Sequence, residues 1–335
     1  MAMPPPFDAV LLIAFGGPSR PEEVRPFLRS VLAGRDVSDE RIEQAAKRYA
    51  AIGGASPFSA ITHRQAEGLR ERLCQANVNL PVYIGMRHSH PRLPDTFRAL
   101  ADAGARRVVA FIANPFHSRA SCTLYKQAVQ NARRNLIDAN GPDIAVTYVD
   151  SWFDHPSFIG ASAACVADAL ERLDGADRAS ARLIFSVHAL PVAMARSCCY
   201  CQQAEAAAQG VAESLGQVDW ALVFQSRPQH AREPWLEPDV CDYLEYERGR
   251  GLRATVLVPM GFVADNMEVL YDLHHVAGGL CRELRLPTAA AHTVNDHPLF
   301  LEMMADLVVR ACQRFARFDP LPIVGSVPLA GPVTM

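Results

Sequence analysis

The stretch Arg182–Pro191, RLIFSVHALP, constrains this chain more than any other. It opens as an unbroken apolar run, the pattern of a strand buried on both faces in a parallel sheet. The run stops at His188, just ahead of Pro191. In an open α/β sheet the carboxyl ends of the strands face the ligand crevice. His188 is therefore expected to point into a cleft from a rigid strand; a hydrogen-bonded core histidine is the plainer alternative.

A second stretch, Ala254–Asp272, has the same build: an apolar strand, the Pro259-Met260-Gly261 break, then a helix. Asp265 suits an N-cap and Glu268, three positions on, completes a capping-box spacing. Glu268 and Asp272 are four apart and would share one helix face. Two carboxylates in line, opposite an imidazole, suit a divalent cation or proton transfer.

The rest of the chain repeats this alternation. Strands are expected near residues 8, 82, 107 and 144, and again near 182, 219, 254 and 285–292, with helices between them. The fold class is α/β: two Rossmann-like domains, each a four-stranded parallel sheet flanked by helices, with a cleft between. The expected divisions are 7–152, 153–297, a helix at 298–318, and a Pro-rich tail at 319–335 that is extended or flexible. With 50% hydrophobic and 21% charged residues among 335, the chain suits globular cores. A net charge of −3 offers no broad basic field for nucleic acid. No apolar run approaches the roughly 18 residues of a membrane span, and Met1-Ala-Met-Pro-Pro-Pro6 lacks the regions of a signal peptide, so a cytoplasmic protein is expected. Gly16-Gly17 is no phosphate cradle, because Glu22 and Glu23 would repel an anion there.

SVHALP (186–191) and GFVADNMEVLYDL (261–273) resemble the ferrochelatases, enzymes that insert ferrous iron into a porphyrin. The resemblance runs from about Phe7 to Cys312, through LLIAFGGPSRPEEVRPFL, YAAIGGASPFSAIT, VYIGMRHSHP, FQSRPQHAREPWLEPDV and NDHP. It implies a lyase of haem biosynthesis whose porphyrin lies in the cleft between the domains. It makes His188 and Glu268 the catalytic pair, with His188, Glu268 and Asp272 as metal contacts. His188 would accept a pyrrole proton or hand over Fe²⁺, and His274 would extend the line. It places Phe15, Arg87, His88 and Ser118 at the porphyrin; Phe15 cannot ligate iron and is left to pack against the macrocycle. Arg87, with Arg119 and Arg227, suits propionate carboxylates. Relatives often carry His where Asn266 stands, and an acidic group where Val276 stands, which shortens any relay. The wording is closest to the coproporphyrin-using enzymes of Gram-positive bacteria, with protoporphyrin IX as the second substrate. A cobalt chelatase of a related tetrapyrrole and a non-catalytic haem-binding protein are the competing readings. Other haem-pathway enzymes are the expected partners, beside porphyrin and ferrous iron.

Nine cysteines, an odd number, imply no disulfide framework. Cys198, Cys199 and Cys201 crowd together, and soft ligands so spaced suit zinc or an iron–sulfur cluster. Some bacterial ferrochelatases hold a [2Fe–2S] cluster with one ligand at the position of Cys122 and three in a C-terminal tail. This chain has no cysteine after Cys312. The expectation is that Cys198, Cys199 and Cys201 substitute and join Cys122; exposed, unmetallated thiols are the alternative. Cys74, Cys165, Cys241, Cys281 and Cys312 read as small buried hydrophobes.

Overall fold

The computed structural model describes residues 5–34, 37–228, 233–317 and 323–324. The strands are β1 (Ala9–Ala14), β2 (Val82–Met86), β3 (Arg107–Ile112), β4 (Ala145–Tyr148), β5 (Ala181–His188), β6 (Trp220–Gln225), β7 (Ala254–Pro259), β8 (Thr288–Ala290) and the short β9 (Ile323–Val324). They form two sheets, ordered β2-β1-β3-β4-β9 and β6-β5-β7-β8. All pairings are parallel except β4 with β9. The first sheet thus carries a fifth strand that the hydrophobic pattern did not announce. Two residues are too short for a periodic signal, and what makes them a strand is the open edge of β4, which offers unpaired backbone groups. The rest of the 319–335 tail, and 229–232 in the 224–240 motif, lie outside the described residues.

The two sheets share one topology. In each, the first strand of the half has its second and third strands on opposite sides, so the connection reverses direction around β1 and around β5. Such a switch point opens a crevice at the strands' carboxyl ends. Phe15 follows β1 and His188 ends β5, so the two residues occupy equivalent places in the two halves. Both central strands are apolar because both faces are covered: Val10 to Ala14 are fully buried, as are Leu183 to Val187.

An aromatic cluster joins the halves. Phe111 on β3 stacks on Trp152 at 5.3 Å between ring centroids. Trp152 meets Phe158 edge-on at 5.1 Å, and Phe158 meets Phe300 at 6.4 Å. Phe158 and Phe300 belong to the helices Pro156–Leu170 and Pro298–Ala316. The latter lies against both Pro156–Leu170 and the first-half helix Phe58–Gln75. Three fully buried phenylalanines and a buried tryptophan hold the sheets in fixed relation, since a close-packed interior leaves them no alternative seat. Gln65 adds a polar tie, donating from one Nε2 to the carbonyls of Val263 (2.8 Å) and Asn295 (2.9 Å).

Candidate active site

His188 ends β5 with its imidazole Nδ1 2.5 Å from the carbonyl of Ala189, which turns Nε2 toward the crevice. Across the gap, Glu268 opens a π-helix, Glu268–Ala277. His188 Nε2 and Glu268 Oε1 are 3.5 Å apart, and their side chains keep 36% and 33% exposure toward the cleft. Burial by itself would lower the imidazole pKa, but the Glu268 charge and hydrogen bond, with Ala189 and Asp272 behind, raise it to about 9. Glu268 shifts the other way: burial would raise it, yet His188, helped by Arg48, holds it below its ordinary range. Both shifts favour an imidazolium–carboxylate pair at neutral pH.

Glu268 is free for this because the expected capping box does not form. Asp265 is 6% exposed and its carboxylate is saturated from another direction, by Thr293 N–H (3.0 Å), Asn295 Nδ2 (3.1 Å) and His292 Nδ1 (2.8 Å). Three donors satisfy a buried carboxylate better than one helix amide. Asn266 takes over the cap, accepting from Val269 N–H at 3.1 Å.

Asp272 follows on the same helix. Burial raises its pKa and the Glu268 charge adds to this, while Ser226 opposes by donating its hydroxyl at 2.5 Å. Ser226 holds that position at φ 63°, the left-handed region that non-glycine residues rarely adopt. Arg48 reaches Asp272 from the first half at 3.7 Å and lies 5.7 Å from the Tyr271 ring. Buried Gln225 accepts from Ser186 (2.8 Å) and donates to the Glu268 carbonyl (2.9 Å), wiring β5 and β6 to the helix. The wider i→i+5 turn changes which residues align: His274 Nε2 faces the Ala291 carbonyl at 3.1 Å and does not continue the line from Glu268. Gln225, Ser226 and Arg48 had no signal of their own beyond lying in or beside resembling stretches.

The opposite wall is aromatic. Phe15 sits 4.7 Å from His88 and 6.2 Å from Phe27, centroid to centroid. The Arg87 guanidinium lies between Phe15 (5.8 Å) and Tyr125 (5.2 Å). Among the described residues no carboxylate pairs with Arg87. Burial pulls its pKa down, and an arginine nevertheless stays charged. His88 is turned away from any anion: Nδ1 meets Ser30 Oγ at 3.1 Å, and burial, with Arg87 and Arg92, lowers its pKa to about 4. Ser118 is buried, its hydroxyl capping the π-helix Arg119–Thr123 through Ser121 N–H at 3.1 Å. Arg119 is exposed. Arg227 is held at the rim by Glu237 (3.0 Å) and Asp242 (3.8 Å).

Among the described residues, no three His, Cys, Asp or Glu side chains are grouped as a metal cage. Cys122, Cys198, Cys199 and Cys201 therefore do not fit a four-thiolate cluster: Cys199 is exposed and Cys122 sits on a separate π-helix. Nearness in sequence sets thiols side by side but does not converge them. Of the remaining cysteines Cys281 and Cys312 are buried as expected, Cys165 and Cys241 partly so, and Cys74 is exposed.

Two parallel sheets of one topology, flanked by helices, are a fold shared with chelatases of known structure. The structure matches SirB from Bacillus subtilis with Fe³⁺ at a TM-score of 0.56 and 12% identity, covering 93% of this chain and 98% of that one. The ferrochelatase family model matches residues 7–312. The chain is 36% identical over 324 residues to the ferrochelatase of Rhodopirellula baltica, covering 96% of this chain and 90% of that one. It is 39% identical over 306 residues to the coproporphyrin III ferrochelatase of Mycobacterium ulcerans, covering 90% and 86%. The chain belongs to the ferrochelatase family and is a porphyrin metal chelatase. Among the described residues no helix is long and apolar enough to cross a membrane.

Proposed function

We propose that this protein inserts Fe²⁺ into a porphyrin lying in the slot between the two halves, with coproporphyrin III as its substrate and protoporphyrin IX as the second reading. The observation that carries it is the 3.5 Å approach of His188 to Glu268, from a strand end and a helix start in the second half. The ring stacks against Phe15, and Arg87 takes a propionate. Iron enters as substrate and is held loosely by the Glu268 carboxylate, so that it can leave again for the four pyrrole nitrogens.

The protonation of the pair supports an order of events. Free, His188 carries a proton that Glu268 stabilises. A divalent cation arriving at Glu268 replaces the imidazolium as counter-charge and repels its proton. His188, now neutral, is a base aimed at the porphyrin face, and it accepts a pyrrole proton as the nitrogen turns to the metal. Two pyrrole protons leave in each turnover. Asp272 is suited to take one onward, since burial holds its pKa above the ordinary carboxylate range.

Four propionates ask for more cationic or polar groups than two, and the names of the relatives at 36–39% identity favour coproporphyrin III. Anaerobic Fe²⁺ insertion assayed in parallel with both porphyrins tests this. A higher kcat/KM with coproporphyrin III is expected. The reverse ratio would assign protoporphyrin IX, and retention of added haem with no insertion would replace the enzyme with a haem-binding protein.

A further inference from the structure

We propose that Cys198 and Cys201 form a redox-active dithiol, which a hydroperoxide closes to a disulfide, and that closure slows turnover by displacing Tyr200 from beneath His188. The second half of this rests on the function proposed above; the first does not.

The two thiols are spaced Cys-x-x-Cys across the start of the helix Tyr200–Ser214, Cys198 in the turn before it and Cys201 in its first turn. Both line one surface cavity of about 340 Å³, with Val192, Arg196 and Leu236. Both pack on the same part of the core, and both remain partly accessible. Cys198 Sγ points back along the preceding helix, 3.4 Å from the Met194 carbonyl and 3.6 Å from that of Ala195. Burial raises the pKa of Cys201, and the closeness of Cys198 raises it further, so Cys201 is kept as a thiol. Cys198, in the turn outside the helix and partly accessible, is assigned as the attacking sulfur. Spacing of this kind in a partly exposed pair serves thiol–disulfide chemistry when no metal cage is present.

The chemistry balances with a hydroperoxide as oxidant. The Cys198 thiolate attacks one peroxide oxygen, the O–O bond breaks, hydroxide leaves, and Cys198 becomes a sulfenic acid. Cys201 sulfur then attacks the Cys198 sulfur, the S–O bond breaks, and water leaves. Overall two thiols and one H₂O₂ give one disulfide and two waters. An external dithiol reverses it, being oxidised in exchange.

Tyr200, between the two cysteines, is buried, and its hydroxyl donates to the His188 carbonyl at 2.8 Å. Its ring rests edge-on against Phe116 at 6.0 Å. Drawing Cys198 and Cys201 together turns the backbone on either side of Tyr200 and so disturbs its hold on the end of β5. Glu268 reaches His188 at 3.5 Å, where a small displacement weakens the pair.

The test begins with reduced protein whose metal-insertion rate is known; no insertion at this stage refutes the function, not the dithiol. Substoichiometric H₂O₂ is added, and alkylation with peptide mass spectrometry reads the thiols. A Cys198–Cys201 link is expected, together with a turnover loss of about 10-fold or more that dithiothreitol restores. Cys198→Ser and Cys201→Ser should each keep basal turnover and lose the link and the reversible response, while Cys199→Ser keeps both. A Cys198–Cys199 link, or thiols unchanged by peroxide, overturns the proposal. So does anaerobically isolated protein that holds iron and sulfide and loses them in Cys198→Ser, for the thiols would then be cluster ligands. A link with unchanged turnover overturns the coupling to His188.

Discussion

The residues that follow β1 and those that follow β5 occupy equivalent places in two copies of one topology, yet their chemistry is opposite. The wall after β5 is a set of titratable groups that hold one another: His188, Glu268, Asp272 and Ser226. The wall after β1 is a set of rings, Phe15, Phe27 and His88, around Arg87, a cation with no carboxylate partner among the described residues. A duplicated scaffold supplies two crevice edges, and side chains divide the labour between them. In the function proposed above, one edge handles protons and metal, and the other seats and orients a flat, anionic ring. A histidine stands on each wall, but their environments push them apart. His188 faces a carboxylate and is raised to about 9, whereas His88 is buried beside Arg87 and lowered to about 4. The same residue type favours the charged form on one side and the neutral form on the other.

That division can be broken at several points. His188→Ala should cost most, lowering kcat by about 10²- to 10⁴-fold with porphyrin affinity nearly unchanged. Stopped-flow insertion and fluorescence quenching by porphyrin measure the two, and near-normal turnover would remove His188 from the chemistry. Glu268→Gln should come next, with a kcat loss of about 10²-fold and an imidazole pKa moved back toward its ordinary value. NMR titration of His188 reads the latter directly. Arg87→Ala should act on binding, weakening porphyrin affinity about 10- to 100-fold with a small change in kcat, since a charge-assisted hydrogen bond contributes about 1.5–3 kcal/mol. A large kcat loss with intact affinity would instead move Arg87 to the reacting face.

The smallest effect is in stability. The folded-state pKa of His188 lies above the unfolded value of about 6.5, so folded protein binds the extra proton between about pH 6.5 and 9. The stability this contributes is complete below that window and lost as pH rises through it. Urea midpoints of wild type and His188→Ala, compared from pH 6 to 10, should therefore converge toward the alkaline end. A gap that stays constant would mean the pair is not linked to folding.

Much of the architecture is legible in the residues. Continuous apolar runs mark β1, β3, β5 and β7 most clearly, because a strand buried on both faces has no polar side to show. The runs end at Phe15, His188 and Pro259, which locates the crevice. The role of Glu268 is less legible. Local spacing makes Asp265 a cap and Glu268 its partner, a satisfactory arrangement for an isolated helix. Only when the segment 292–295 delivers three donors to Asp265 does the cap pass to Asn266 and the Glu268 carboxyl turn to His188. The cysteines show the same limit in reverse, since three thiols close in sequence are not, among the described residues, grouped as a metal cage.

By itself, then, the sequence determined the strands, their parallel sense and the place of His188 at a strand's carboxyl end, because these follow from the period and extent of hydrophobic runs. Tertiary structure alone decided how close the carboxylate comes to the imidazole, which histidine stays neutral, that Arg87 has rings and, among the described residues, no carboxylate for partners, and which thiols share a cavity. Those outcomes depend on burial and on distances between groups remote in the chain. A hydrogen bond or a Coulomb interaction within a few ångströms has no counterpart in sequence spacing.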